Sequence, residues 1–135
     1  ESLDQLASQA CDAALALLHA APSVLPQCPP PEPGEPPLEP LALGIGLESG
    51  PATIGSFGLA RRRTYLALGR TVTLAVQLER MTAELAHPLL IGENLAAYLT
   101  GRQLKSQGIF LLDGVITPCH IYAYPLDAPG VSITF

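Results

Sequence analysis

Positive charge is scarce in this chain. Lys and Arg total 7 in 135 residues, against 12 Asp and Glu, and the formal net charge is −5. Arg61, Arg62 and Arg63 form the single basic cluster, and no aromatic stacking surface accompanies it, so a nucleic-acid partner is not expected and the cluster reads as a solvated loop. Cysteine is sparse and odd in number. Cys11, Cys28 and Cys119 have no CxxC spacing, which gives neither a disulfide framework nor a zinc site and favours a reducing compartment. His19, His87 and His120 are equally dispersed. No run approaches the ~20 apolar residues that span a bilayer, and the first residues lack the charged-then-apolar order of a signal peptide. A cytoplasmic location without direct membrane contact is expected, whether alone or as part of a larger membrane-attached protein.

What is present suffices for one compact domain covering residues 1–135. Apolar residues make up 48% of the chain, enough for a core and too many for disorder over most of the length. Ser2 to Ala20 reads as a helix, with Leu3, Leu6, Ala10, Ala13, Leu17 and Ala20 at helical spacing, ending where Pro22 forbids continuation. Nine prolines fall between Pro22 and Pro40. Such a stretch is short of backbone donors and is expected as a surface insertion, partly polyproline II, although its Pro30-Pro31-Glu32-Pro33 also suits an SH3-type reader.

Leu41 to Glu48 reads as a strand, Ser49-Gly50-Pro51 as a turn, and Ala52 to Phe57 as a second strand completing a hairpin with the first. Gly58 to Arg63 reads as a loop and Thr64 to Leu68 as a short strand. After Gly69 comes the clearest helix, with Leu74, Leu78, Met81 and Leu85 as one buried stripe and Thr73, Gln77, Arg80 and Glu84 on another face. His87-Pro88 ends it. Pro88 to Ile91 follows as a strand and Glu93 to Leu99 as a short helix. Two final strands, around Ile109 to Leu112 and Cys119 to Tyr124, are joined through the turn dipeptide Asp113-Gly114. Helices alternating with paired strands indicate an α+β or α/β sandwich. No repeat, P-loop, catalytic triad or metal-ligand cluster stands out, and Gly44-Ile45-Gly46 lacks the third glycine of a dinucleotide fingerprint.

Four blocks, in order, resemble the C-terminal half of a class III nucleotidyl cyclase domain. Ile45-Gly46-Leu47-Glu48-Ser49-Gly50 through Gly58 looks like the family's "IGI(H/N)xGxxxxGxxG". Tyr65 and then Leu68-Gly69-Arg70-Thr71-Val72-Thr73-Leu74-Ala75-Val76-Gln77-Leu78 resembles "Y(D/T)xxGDxVNxAxRL". Pro88 to Glu93 is like "xILIS(E)", and Phe110-Leu111-Leu112-Asp113-Gly114 through Pro118 and Tyr122 like "(V/F)xLKGxxxPxxVY". The helix from Leu6 to Leu18 matches the alanine-rich one preceding the first block. The resemblance implies a ferredoxin-like, nucleotidyl-cyclase-like α/β sandwich lacking the N-terminal part of the family fold.

It also implies which positions would work in an active relative. Two aspartates upstream of the alanine-rich helix hold two Mg²⁺ or Mn²⁺ ions, and these 135 residues carry neither. The transition-state positions, an Asn and an Arg in the family, are Thr73 and Gln77 here; the base-reading Asp or Thr is Leu66; the Asp after the motif glycine is Arg70. A neutral glutamine cannot supply a cation, nor Leu66 a hydrogen bond to a purine edge. No intact catalytic, substrate-binding or metal position is therefore expected, and no cofactor unless other segments complete a site. The expectation is a catalytically inactive cyclase-homology domain of a signalling protein, acting in regulation or as a homodimer or heterodimer with another cyclase-type domain. One alternative is half of an adenylate or guanylate cyclase completed by a partner or an upstream segment, which Val72-Thr73-Leu74-Ala75 suits. Another is a protein-interaction module working through the proline-rich loop.

Overall fold

The computed structural model describes residues 2–24, 32–34 and 43–126, without the side chains of 22–24. The first helix, α1 (Leu3–Val24), begins with a reciprocal cap: Ser2 Oγ accepts the Gln5 N–H at 3.2 Å and Gln5 Oε1 accepts the Ser2 N–H at 3.2 Å. It does not stop before Pro22. Proline's fixed φ suits a helix, and in the last turn its missing N–H forfeits a single hydrogen bond. Most of the proline-rich loop, 25–31 and 35–42, lies outside the described residues, as does Cys28.

The remaining elements are β1 (Ile45–Leu47), β2 (Thr53–Leu59), β3 (Arg62–Leu68), α2 (Arg70–Leu85), β4 (Leu89–Gly92), α3 (Glu93–Ala96), β5 (Lys105–Phe110) and β6 (Cys119–Ala123). Four strands form one sheet in the order β1-β4-β6-β5, and β2 pairs with β3 separately. The expected hairpin between the first two strands is not formed. β1 instead runs parallel to β4, Ile45 opposite Leu89 and Leu47 opposite Ile91, with the β2–β3 hairpin and α2 as the crossover that parallel neighbours require. The hairpin is β2 with β3, from Thr53 opposite Leu68 to Leu59 opposite Arg62. What reads as the Gly58 to Arg63 loop is thus mostly strand, turning at Ala60 and Arg61.

Glycine lets β1 lie directly on α2. A Cβ on Gly46 would lie 2.5 Å from the Ala75 carbonyl oxygen and 2.5 Å from the Glu79 nitrogen, both α2 backbone. β1 and α2 therefore touch main chain to main chain, an approach closed to any larger residue. Gly44 faces the same helix, against Thr82. Alternation then turns Ile45 and Leu47 to the opposite face.

Two cores result, one per sheet face. Leu89 and Ile91 pack with Ala7, Cys11, Ala14 and Leu15 of α1 and Leu95 and Leu99 beyond β4. Leu90, Cys119, Ile121 and Ala123 meet Leu74 and Leu78 of α2, closed by Leu112 and Val115. The α2 stripe holds as expected, with Leu74 and Leu78 buried and Met81 and Leu85 packed at the margin. Complete burial of a leucine such as Leu78 contributes about 1.5–3 kcal/mol. Ala86, in the left-handed conformation at φ 54°, ends α2 just before Pro88. No described helix is long and apolar enough to cross a membrane.

Candidate functional site

α2 starts at Gly69, whose φ of 135° favours glycine. Its first two turns carry Arg70, Thr73 and Gln77. The β5–β6 connection covers this end: Arg70 donates to the Thr117 hydroxyl, and a side chain added at Gly114 would meet Thr73 Cγ2 at 3.4 Å. Thr73 is half-buried, and its hydroxyl donates back to the Gly69 carbonyl at 3.3 Å. Gln77 is half-buried one turn on. Leu66 lies in β3 opposite Gly55 and is 40% exposed. The three positions thus present a backbone-bonded hydroxyl, a neutral amide and an exposed aliphatic chain. Among the described residues no three His, Cys, Asp or Glu side chains come together as metal ligands.

Beside this end of α2 lies an open groove of about 1270 Å³. Leu3 and Leu6 of α1, Leu47, Leu74 and Leu95 supply apolar walls, and Glu48, Ser49, Arg70, Asn94 and Tyr98 the polar ones. Among the described residues β1 stands at the edge of the sheet, a position at which a further strand can pair.

Glu48 is the most constrained polar side chain in the groove. Its Oε1 accepts the backbone N–H groups of Ser49 at 2.8 Å and Leu95 at 2.9 Å, while Oε2 receives the Asn94 amide at 3.5 Å. Burial raises its pKa above the usual carboxylate value, against the lowering effect of those donors. Gly92 lies directly against this carboxylate, and a Cβ there would sit 2.1 Å from Glu48 Oε2, so any larger residue would displace the Glu48 side chain. Glu48 therefore fastens the end of β1 to the start of α3. Its position beside a turn gave no hint of partners 44 to 47 residues away.

Two further polar clusters were not foreseen. Arg102 bonds Asp12 Oδ1 at 2.6 Å and Ser8 Oγ at 2.9 Å, tying α1 to the segment before β5. On β5 and β6, Ser106 Oγ lies 2.5 Å from His120 Nε2, and the Tyr122 hydroxyl 3.3 Å from Nδ1. Cys11 and Cys119 are both buried free thiols, and burial raises the Cys11 pKa above its usual value.

Comparison with protein-family models finds no match, and none is found among curated proteins. Solved structures do match. A bacterial light-regulated adenylyl cyclase superposes with a TM-score of 0.52 and 22% identity over 60% of this chain and 40% of its own. The adenylyl cyclase CyaB from P. aeruginosa gives a TM-score of 0.52 and 25% identity over 64% of this chain and 44% of its own. The chain thus spans less than half the length of these proteins. The mixed sheet between α1 and α2, the short β1 pressed on α2 and the protruding hairpin are an α+β fold of the adenylyl cyclase type.

Proposed function

We propose that this chain is a cyclase-homology domain that does not itself turn over nucleotide and serves in regulation, by associating with a second cyclase-type domain. The observation carrying this reading is the chemistry at the start of α2. Thr73 has its hydroxyl engaged by Gly69, and Gln77 brings no positive charge to a region where one would offset charge developing on a phosphate. Leu66 supports it, having no group with which to read a base. A reducing, cytoplasmic setting suits its free, buried thiols. The test is incubation of the purified chain with ATP or GTP and Mg²⁺ or Mn²⁺. No cyclic nucleotide is expected. Product that scales with protein and vanishes in Thr73→Ala defeats the reading.

One feature favours a second reading, half of a two-part cyclase. Among the described residues β1 lies at the sheet edge, and with the groove beside it this leaves room for strands supplied by another segment or chain. Such strands would have to bring both metal-binding aspartates, since the described residues offer no substitute.

A further inference from the structure

Successive residues of β6 alternate between the two faces of the sheet. Cys119, Ile121 and Ala123 face α2, so His120 and Tyr122 face the α1 side, where Tyr122 packs against the core that this helix helps to form. Ser106 joins them on this second face, because it stands opposite Tyr122 in the register of β5 with β6. Just beyond it the register slips by one residue, with Gly108 opposite Ile121 and Ile109 opposite His120. A bulge of this kind bends the strand and re-aims its side chains, and Gly108 permits it with a φ of 106°. Ser106 Oγ lies 2.5 Å from His120 Nε2, and the Tyr122 hydroxyl lies 3.3 Å from Nδ1. The His120 and Tyr122 rings stack with their centroids 4.4 Å apart, which holds the imidazole in place. Ser106 is exposed and the two rings are half-buried, so the hydroxyl stands open to solvent while its partners are fixed.

A hydroxyl bonded to an imidazole whose other nitrogen is held by a third group is the arrangement that activates a serine for attack. We propose that Ser106, His120 and Tyr122 form an acyl-transfer site for carboxylic esters that have a good leaving group and a short apolar acyl chain. Ser106 Oγ bonds to the ester carbonyl carbon as its proton passes to His120 Nε2. Collapse of the tetrahedral adduct breaks the bond to the leaving oxygen, which takes that proton and departs as the alcohol or phenol. Water, deprotonated by the same nitrogen, then releases the acid from Ser106. Tyr122 is the positioning residue: with Nδ1–H donating to its hydroxyl, the lone pair of Nε2 is left facing Ser106. A neutral hydroxyl stabilises an imidazolium less than a buried carboxylate does, so the site suits activated esters rather than amides. Tyr122 also walls an adjoining open cavity of about 400 Å³, whose apolar side is Ala96, Leu99 and Leu104. Leu104 lies two residues before Ser106, which puts an apolar recess for the acyl chain beside the nucleophile. The site is across the sheet from Thr73 and Gln77, and it does not depend on the reading of nucleotide turnover given above.

Hydrolysis of p-nitrophenyl butyrate by the full chain tests this, together with labelling by an alkyl fluorophosphonate and location of the adduct by mass spectrometry. Wild type is expected to release nitrophenol in proportion to protein and to carry the adduct on Ser106. Ser106→Ala should abolish both, and His120→Gln should lower each roughly tenfold or more. Tyr122→Phe, which keeps the ring stack and loses the hydroxyl, should lower kcat severalfold with KM unchanged. Far-ultraviolet spectra matching wild type would show that each variant is folded, as expected for changes at exposed or half-buried positions. A wild type without the Ser106 adduct overturns the inference, as does hydrolysis undiminished in Ser106→Ala, which would assign the reaction to another nucleophile. A Tyr122→Phe variant with unaltered kcat overturns the positioning role.

Discussion

Placing a methyl group on Gly92 should break the junction between β1 and α3, and the loss should depend on Glu48. Gly92 has φ −74° and ψ 160°, which alanine adopts freely, so backbone strain contributes nothing. The conflict is with the carboxylate: Oε2 would lie 2.1 Å and the carboxyl carbon 2.4 Å from the new Cβ. Glu48 must withdraw by more than an ångström, giving up its bonds to the Ser49 and Leu95 N–H groups. Hydrogen bonds to a charged group contribute roughly 1.5–3 kcal/mol each. With water replacing part of what is lost, Gly92→Ala should cost about 2–4 kcal/mol, a Tm drop on the order of 10 °C. Glu48→Ala should itself be destabilising, but adding Gly92→Ala to it should cost less than about 1 kcal/mol. Urea unfolding of the four proteins in this cycle gives the coupling directly. A Gly92→Ala penalty of equal size with and without Glu48 would refute the reasoning.

Gly46→Ala should be worse than Gly92→Ala, because its obstacle is α2 backbone that cannot swing aside; a loss of ~3 kcal/mol or more in urea, or failure to fold, is expected, and a near-neutral effect would mean that β1 does not touch α2. Glu48 also predicts a pH slope. Its raised pKa means that the folded chain holds the proton more tightly than the unfolded chain does, so stability contributed by this group falls as pH rises above the ordinary value of 4.5. Glu48→Gln should flatten that part of the Tm-versus-pH curve, and an unchanged slope would assign it elsewhere. Leu78→Ala should cost about 2–5 kcal/mol by calorimetry, since the side chain is buried between α2 and the sheet; a loss below 1 kcal/mol would contradict that packing.

The parts legible in the sequence were those governed by local periodicity. The Leu74, Leu78, Met81, Leu85 stripe fixed both the extent of α2 and the side it buries, and Asp113-Gly114 marked the connection that returns β5 to β6. The pairing of β1 was not legible. Ser49-Gly50-Pro51 is a real turn, but it leads from the main sheet into a separate arm, and the partner of β1 arrives more than 40 residues later. Gly44 and Gly46 carried that information as a close approach to α2, a spacing that local pattern cannot separate from a flexible loop. Glu48 was hidden for the same reason, its partners Gly92, Asn94 and Leu95 being distant in sequence. Leu66, Thr73 and Gln77 stood out only through the resemblance, and the structure adds that Leu66 lies opposite Gly55 and that Thr73 donates to the Gly69 carbonyl.

A restoration experiment tests most directly the proposed reading, a cyclase-type scaffold that does not itself turn over nucleotide. Leu66→Asp, Thr73→Asn and Gln77→Arg are combined in one chain, and cyclic nucleotide is measured for wild type and variant, each alone and each mixed with a cyclase half that supplies both metal aspartates. Electrostatic stabilisation cannot replace metal activation of the nucleophile, so neither chain should be active alone. The variant should gain activity in the mixture, and the wild type should not. Product from the variant alone, or equal product from wild type and variant in the mixture, would contradict the account.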